Sequence, residues 1–157
     1  MNIISATMHQ SKHTTAPHPV FTLDSIPLDN WIKGIAYDSA GNDITEGLVP
    51  AQGWLIEDDH LRYAWQVLEP AAQDGSTIVP LLVCADDMDL SCTVAVVEQV
   101  ISGDIVSWTR FGRALDTISG VITAVNWNET NQRASFHRGQ FQDALAEFKR
   151  LTEYAWA

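Results

Sequence analysis

Basic residues are scarce in this chain of 157 residues. Lysine and arginine together number 9, against 20 aspartates and glutamates, and the net charge is −11 at pH 7. A protein that binds nucleic acid needs basic patches to displace counterions from phosphates. The composition therefore argues against nucleic acid as a partner. Among proteins it favours a basic partner, which an acidic surface attracts.

Long apolar runs and glycine-rich loops are also missing. No stretch of about 18 uninterrupted apolar residues occurs, so we expect no membrane span. The first twenty residues lack the basic segment and apolar run of a secretory signal, and we expect a cytoplasmic protein. The 9 glycines are scattered without a GxGxxG or GxxxxGK pattern, so the sequence predicts no phosphate-binding loop and no cofactor.

The residues with catalytic or metal-binding chemistry form no recognised pattern. The two cysteines, Cys84 and Cys92, are expected as reduced thiols in the cytoplasm, although their spacing could also span a hairpin as a disulfide. Neighbouring carboxylates would raise a thiol pKa, which disfavours a cysteine nucleophile paired with His60 or His137. The five histidines (9, 13, 18, 60 and 137) lack a zinc-binding spacing. We predict no metal site and no enzymatic activity.

The acidic residues are concentrated in one part of the chain. Between Val20 and Val106 there are fifteen acidic residues and two basic ones, whereas the remainder is nearly balanced. Two runs stand out, and the residues that we predict as partner contacts are Asp86, Asp87, Asp89, Glu57, Asp58 and Asp59. Crowded carboxylates repel one another unless they are solvated or neutralised by a cation or by a partner's basic side chains.

Each acidic run also has a simpler interpretation. The run at 86–89 is compatible with a solvated connection between strands, and it lacks the order of a calcium-binding loop. The run at 57–59 suits the first turn of a helix, where carboxylates complement the helix dipole. The sequence leaves open whether the two runs share a face.

The patterning predicts an α+β domain over 20–157, preceded by a flexible arm over 1–19. We expect an antiparallel sheet of about five strands with helices packed on one face. The predicted strands are 78–84, 92–100, 105–112, 121–127 and 133–138, and the predicted helices are 26–36, 60–68 and 140–154. Of the six tryptophans, we expect about four in the core and one or two on a recognition surface.

The block from Val79 to Val94, followed by 103–108 and by Phe111-Gly112, resembles a family of small bacterial proteins. With its acidic composition and lack of catalytic motifs, the chain is similar to the immunity proteins of bacterial toxin systems, including contact-dependent inhibition. This resemblance implies a cytosolic protein that binds and blocks a cognate toxin domain. It transfers no binding residue by position.

The leading hypothesis from the sequence is a non-enzymatic immunity protein that neutralises a basic toxin, of which nucleases are a common class. Two alternatives remain open. One is an acidic regulatory or assembly module with a partner that is no toxin, including a homo-oligomer. The other is a small-molecule-binding domain with tryptophan-lined walls.

Overall fold

The computed structural model describes residues 1–86, 90, 93–118, 121–128 and 132–156. Within them strands and helices are mixed, and the predicted α+β class is confirmed. The strands are β1 (Ile4–His9), β2 (His18–Leu23), β3 (Ile26–Pro27), β4 (Val49–Pro50), β5 (Gly75–Val83), β6 (Val94–Ser102), β7 (Ile105–Ile118), β8 (Val121–Trp127) and β9 (Ala134–His137). The helices are α1 (Leu28–Trp31), α2 (Ala51–Trp54), α3 (Asp58–Leu68) and α4 (Arg138–Trp156).

The larger sheet is an antiparallel meander with the order β4-β5-β6-β7-β8, and β9 pairs with β7. Gly103, with a φ of +58°, forms the tight turn between β6 and β7. At the other end of the sheet, β7 continues past β6: Arg113 pairs with Ala95, and residues 114–118 face β8 alone. The β7–β8 hairpin therefore projects from the same end of the sheet as the connection between β5 and β6.

The positions of the side chains of β6 explain the apolar run at 94–97. Ala95, Val97 and Ile101 belong to a core cluster with residues of α4 and β2, whereas Val94 and Val96 belong to a second cluster with residues of α2 and α3. Since successive side chains of a strand point to opposite faces, this central strand is buried on both faces. The sequence predicted helices on one face of the sheet only. That prediction describes one of the two faces that other elements cover.

The first nineteen residues do not form the flexible arm that we expected. They supply β1, which pairs with β2 along its length in a three-stranded sheet with β3. The side chain of Gln140 binds both the N–H and the carbonyl of Ile4, and the Asp24 carboxylate accepts the N–H of Ile3 at 2.9 Å. The strand pattern of β1 is the short alternation of Ile4, Ala6 and Met8 with polar residues, which the sequence interpretation did not recognise within a largely polar segment.

The helices follow the sequence where the apolar stripe is long. The two longer predicted helices are found as α3 and α4, and Phe148 of α4 stacks on Phe21 of β2 with ring centroids 4.4 Å apart. The helix predicted over 26–36 is reduced to the four residues of α1. Its C-cap, Ile32, is extended, and Gly34 has a φ of +76°, so the chain leaves the helical region there.

Candidate functional site

An open cleft lies beside the end of β5, and we call it the Trp54 cleft. It consists of a larger cavity of about 370 Å³ and a smaller one of about 210 Å³, and both are lined by His13 and Ala85. Trp54 and His18 line the larger cavity, and Asp86 lines the smaller one. The cleft thus combines one of the predicted contact residues with three side chains that the sequence did not single out.

His18 is held rigidly in the wall of the larger cavity. Its Nδ1 is 3.0 Å from the carbonyl of Pro19, which can only accept, so Nδ1 carries the proton. Its Nε2 then accepts the hydroxyl hydrogen of Ser11 at 2.8 Å. Burial lowers the pKa of His18 below its ordinary value of 6.5 because the charged ring would lose hydration. His18 is therefore a neutral, oriented ring at pH 7.

Trp54 joins α2 to the end of β5. Its indole Nε1 donates to the carbonyl of Ala85 at 2.8 Å, and its ring packs edge-on against His18 with centroids 4.8 Å apart. The Trp54 side chain therefore bridges two segments that are far apart in the sequence. It forms the wall between the β1–β2 connection and the turn that carries Asp86.

His13 lies over Gly47, and only glycine fits there. Gly47 has a φ of +104°, a backbone region that other residues rarely adopt. A Cβ at this position would lie 2.7 Å from Cδ2 of His13. The buried carboxylate of Asp29 accepts the N–H of Gly47 at 3.0 Å and fixes this close approach.

Asp86 is exposed at the mouth of the smaller cavity. Within the described part of the chain it has no salt-bridge partner. The other two predicted contacts of this run, Asp87 and Asp89, lie outside the described residues.

The second acidic run begins three residues after Trp54. Asp58 and Asp59 occupy the first turn of α3, and Glu57 is its N-cap residue. Glu57 lies 3.3 Å from His60, and Asp59 lies 3.4 Å from Arg62, while all three carboxylates remain exposed. Three residues of chain span about 11 Å at most. Each acidic run therefore adjoins Trp54: Glu57 follows it within about 11 Å of chain, and Asp86 follows Ala85, whose carbonyl accepts the Trp54 indole N–H.

Comparison with protein-family models, with curated proteins and with solved structures finds no match. In the described part of the chain, no helix combines the length and the apolar character needed to cross a membrane.

The cleft contains one pair with the spacing of a nucleophile and a base, Ser11 and His18. Ser11 is only 2% exposed, however, and it lines neither cavity, so a substrate carbonyl in the cleft would not reach its hydroxyl. The hydrogen bond between Ser11 and His18 has a structural role, because it helps to hold the β1–β2 connection in shape. In the same connection the Ser11 carbonyl accepts the N–H of Thr14 at 3.1 Å. Among the described residues, no group of three or more His, Cys, Asp or Glu side chains is placed to hold a metal ion.

The prediction of a reduced thiol at Cys84 is wrong. Cys84 is disulfide-bonded, and it follows directly after Val83, which pairs with Val94 at the end of the sheet. A disulfide-bonded cysteine has no thiolate, so Cys84 does not act as a nucleophile in this state. Cys92 lies outside the described residues.

Sequence reasoning missed His13, His18 and Trp54 as a group. Trp54 was one of six tryptophans without a distinguishing context, and the two histidines fell in the predicted arm. In the structure Trp108 is fully buried, whereas Trp31, Trp54, Trp65 and Trp127 are half-buried. The available signal was the pair of prolines at 17 and 19 around His18, which indicates a rigid connection and not a flexible one.

Proposed function

We propose that this protein is a non-enzymatic immunity protein that binds a basic toxin domain through the acidic end of the molecule. The observation that carries the proposal is that residues 57–59 and Asp86 are exposed carboxylates, and that Glu57 lies three residues after Trp54 while Asp86 follows its hydrogen-bond partner Ala85. An acidic surface of this kind attracts a cationic protein over long range and raises the rate of association.

Apolar contacts beside the charges would supply the slow dissociation that neutralisation needs. Ile56 is 66% exposed and lies between Trp54 and Glu57. Large side chains in the middle of an interface carry most of the binding free energy, whereas charges at the rim mainly set the rate and the specificity. In this proposal the apolar contacts come from Ile56 and the edge of Trp54 and slow dissociation. The neighbouring carboxylates set the association rate and the specificity.

The test compares two variants that lose the same number of negative charges. The site variant carries Glu57→Gln, Asp58→Asn and Asp86→Asn. The matched control carries Asp104→Asn, Asp143→Asn and Glu153→Gln, three exposed carboxylates that line neither cavity of the cleft. Each immobilised protein is exposed to lysate of the source organism, and a protein eluted by salt is identified and then expressed with and without this chain.

We expect the wild-type chain and the control variant to capture one basic protein that is toxic when expressed alone, and both to protect against it. The site variant should capture less of it and protect less. Equal capture by the site and control variants would remove the acidic end from the interface. A captured protein without toxicity would replace the immunity role with a regulatory one.

The larger cavity supports a second candidate, a small-molecule-binding domain. Its volume of about 370 Å³ falls within the range of ligand sites, and Trp54 and His18 provide aromatic walls with little mobility. Native mass spectrometry of the purified protein tests this candidate. A copurified molecule that is lost in a Trp54→Ala variant would support it.

A further inference from the structure

The smaller cavity of the Trp54 cleft combines one exposed carboxylate with apolar walls. Ala36, Ile44 and Leu48 line it together with Asp86 and His13. The cavity holds about 210 Å³, below the range of drug-sized ligands. It is large enough for one long side chain.

Buried hydrogen bonds hold the segment that supplies Ala36 and Ile44 to this cavity. The hydroxyl of Thr45 accepts the N–H groups of Ile35 and Ala36 at 3.0 and 3.2 Å, and it donates to the carboxylate of Asp43 at 2.7 Å. Thr45 is 1% exposed, so these bonds are shielded from water. A cavity that is already ordered saves the entropy that a loop would lose on binding.

We infer that this cavity receives an arginine side chain of the bound partner. Its methylene stem would pack on Ile44 and Leu48, and its guanidinium group would form two hydrogen bonds with the carboxylate of Asp86. Guanidinium suits the site better than ammonium because it is planar, less strongly hydrated and able to stack on the ring of His13. The inference rests on the proposed function, and it names the residue by which the basic partner is recognised.

The experiment uses the full chain and a defined probe, Nα-acetyl-L-arginine methylamide. Its citrulline counterpart has nearly the same shape without the charge, and its lysine counterpart has the charge without the planar group. Each compound is titrated to about 50 mM, at about pH 7.5 and low salt, while ¹H–¹⁵N spectra are recorded. The indole N–H of Trp54 is the reporter, because it donates to Ala85, which lines both cavities.

We expect saturable shifts with the arginine compound, with a Kd of about 1–10 mM that weakens several-fold at high salt. The citrulline compound should leave the spectrum unchanged, and the lysine compound should bind at least several-fold more weakly. Asp86→Asn should abolish the shifts, whereas Asp104→Asn, at the opposite end of the sheet, should not. Well-dispersed spectra of both variants establish that they are folded.

Three results would overturn the inference: no saturable shift with the arginine compound, equal shifts with citrulline or lysine, or unchanged binding by the Asp86→Asn variant. These results leave the proposed function standing if the wild-type chain still captures and neutralises a basic toxin. Conversely, the chain could bind the arginine compound and yet capture no toxin. That result would support the arginine site and exclude the immunity role.

Discussion

At the scale of single residues, the shape of the cleft depends on a few positions. At each of them, either a buried side chain or the lack of a side chain determines the local backbone conformation. His18 is 3% exposed with both ring nitrogens engaged, and Gly47 provides the space for His13. These positions are buried or conformationally strained, and neither resembles a conventional motif. Their consequences are therefore best measured as stability.

His18 makes the stability depend on pH. The unfolded chain binds a proton at His18 with an ordinary pKa of 6.5, and burial lowers the pKa in the folded protein. The stabilising contribution of the neutral ring is complete above 6.5 and is lost as the pH falls from that value through the lower pKa of the folded protein. Each unit of lowering corresponds to about 1.4 kcal/mol.

We expect the free energy of unfolding in urea to fall between about pH 7.5 and about pH 5.5, and to fall less in a His18→Gln variant. His137 is exposed, so His137→Gln should retain the dependence of the wild-type chain. Equal dependence in His18→Gln and in the wild type would mean that another group is responsible.

Gly47→Ala should destabilise the protein by about 1–3 kcal/mol, because the new Cβ forces a φ of +104° on alanine and collides with the ring of His13. Gly75→Ala is the matched control, since a Cβ there meets no atom within 4 Å and the φ is not positive. Thermal unfolding of both variants checks this prediction. A Gly47→Ala variant as stable as the control would show that the loop adapts at no cost.

At the scale of elements, the sheet and the helices are joined by buried polar side chains as well as by apolar packing. Gln99 of β6 accepts the indole N–H of Trp108 and donates to the carbonyl of Leu68, both at 2.9 Å. Leu68 is the last residue of α3, so this single amide connects β6, β7 and the end of a helix. Gln99 is 1% exposed and its partners have no access to solvent.

Gln99→Leu should therefore cost about 2–4 kcal/mol, because it leaves a buried donor and a buried acceptor unsatisfied. Combining it with Trp108→Phe should cost less than the sum of the two single changes, since the donor is removed together with its acceptor. Denaturant unfolding of the four proteins forms a double-mutant cycle. Additive costs would indicate that water replaces the lost partner.

At the scale of the whole molecule, charge is distributed unevenly over a fold that does not require it. The net charge of −11 opposes compaction, and the exposed carboxylates of residues 57–59 and of Asp86 lie in two segments that adjoin Trp54. Each salt bridge of the described residues has at least one exposed partner, and such pairs contribute little to stability. A surface of this kind is consistent with selection for binding at the expense of stability.

Added salt should therefore stabilise the free protein. Raising sodium chloride from about 20 mM to about 500 mM should raise the melting temperature by about 2–4 °C, because screening weakens repulsion between carboxylates. The variant with Glu57→Gln, Asp58→Asn and Asp86→Asn should respond less than the variant with three distant substitutions. An equal response would show that the repulsion is spread over the whole surface.

The sequence by itself determined the α+β class, the central meander, α3, α4 and the charge of the surface. These features depend on local periodicity and composition: β6 is mostly apolar because both of its faces are buried, with Glu98 and Gln99 as polar exceptions, and α4 has a regular apolar stripe. It also identified Asp86 and residues 57–59 as exposed carboxylates. The sequence interpretation was wrong for 1–19, where the alternation of Ile4, Ala6 and Met8 with polar residues in β1 is short and was not recognised as a strand pattern.

Only the tertiary structure decided where the cleft lies and which residues form it. His13, Trp54 and Asp86 come from three segments, and the bond between Trp54 and Ala85 that brings two of them together spans 31 positions of the chain. No spacing in the sequence encodes such a contact, because it depends on how α2 packs beside β5. The charge on the surface is therefore a property of the sequence, and the pocket beside it is a property of the packing.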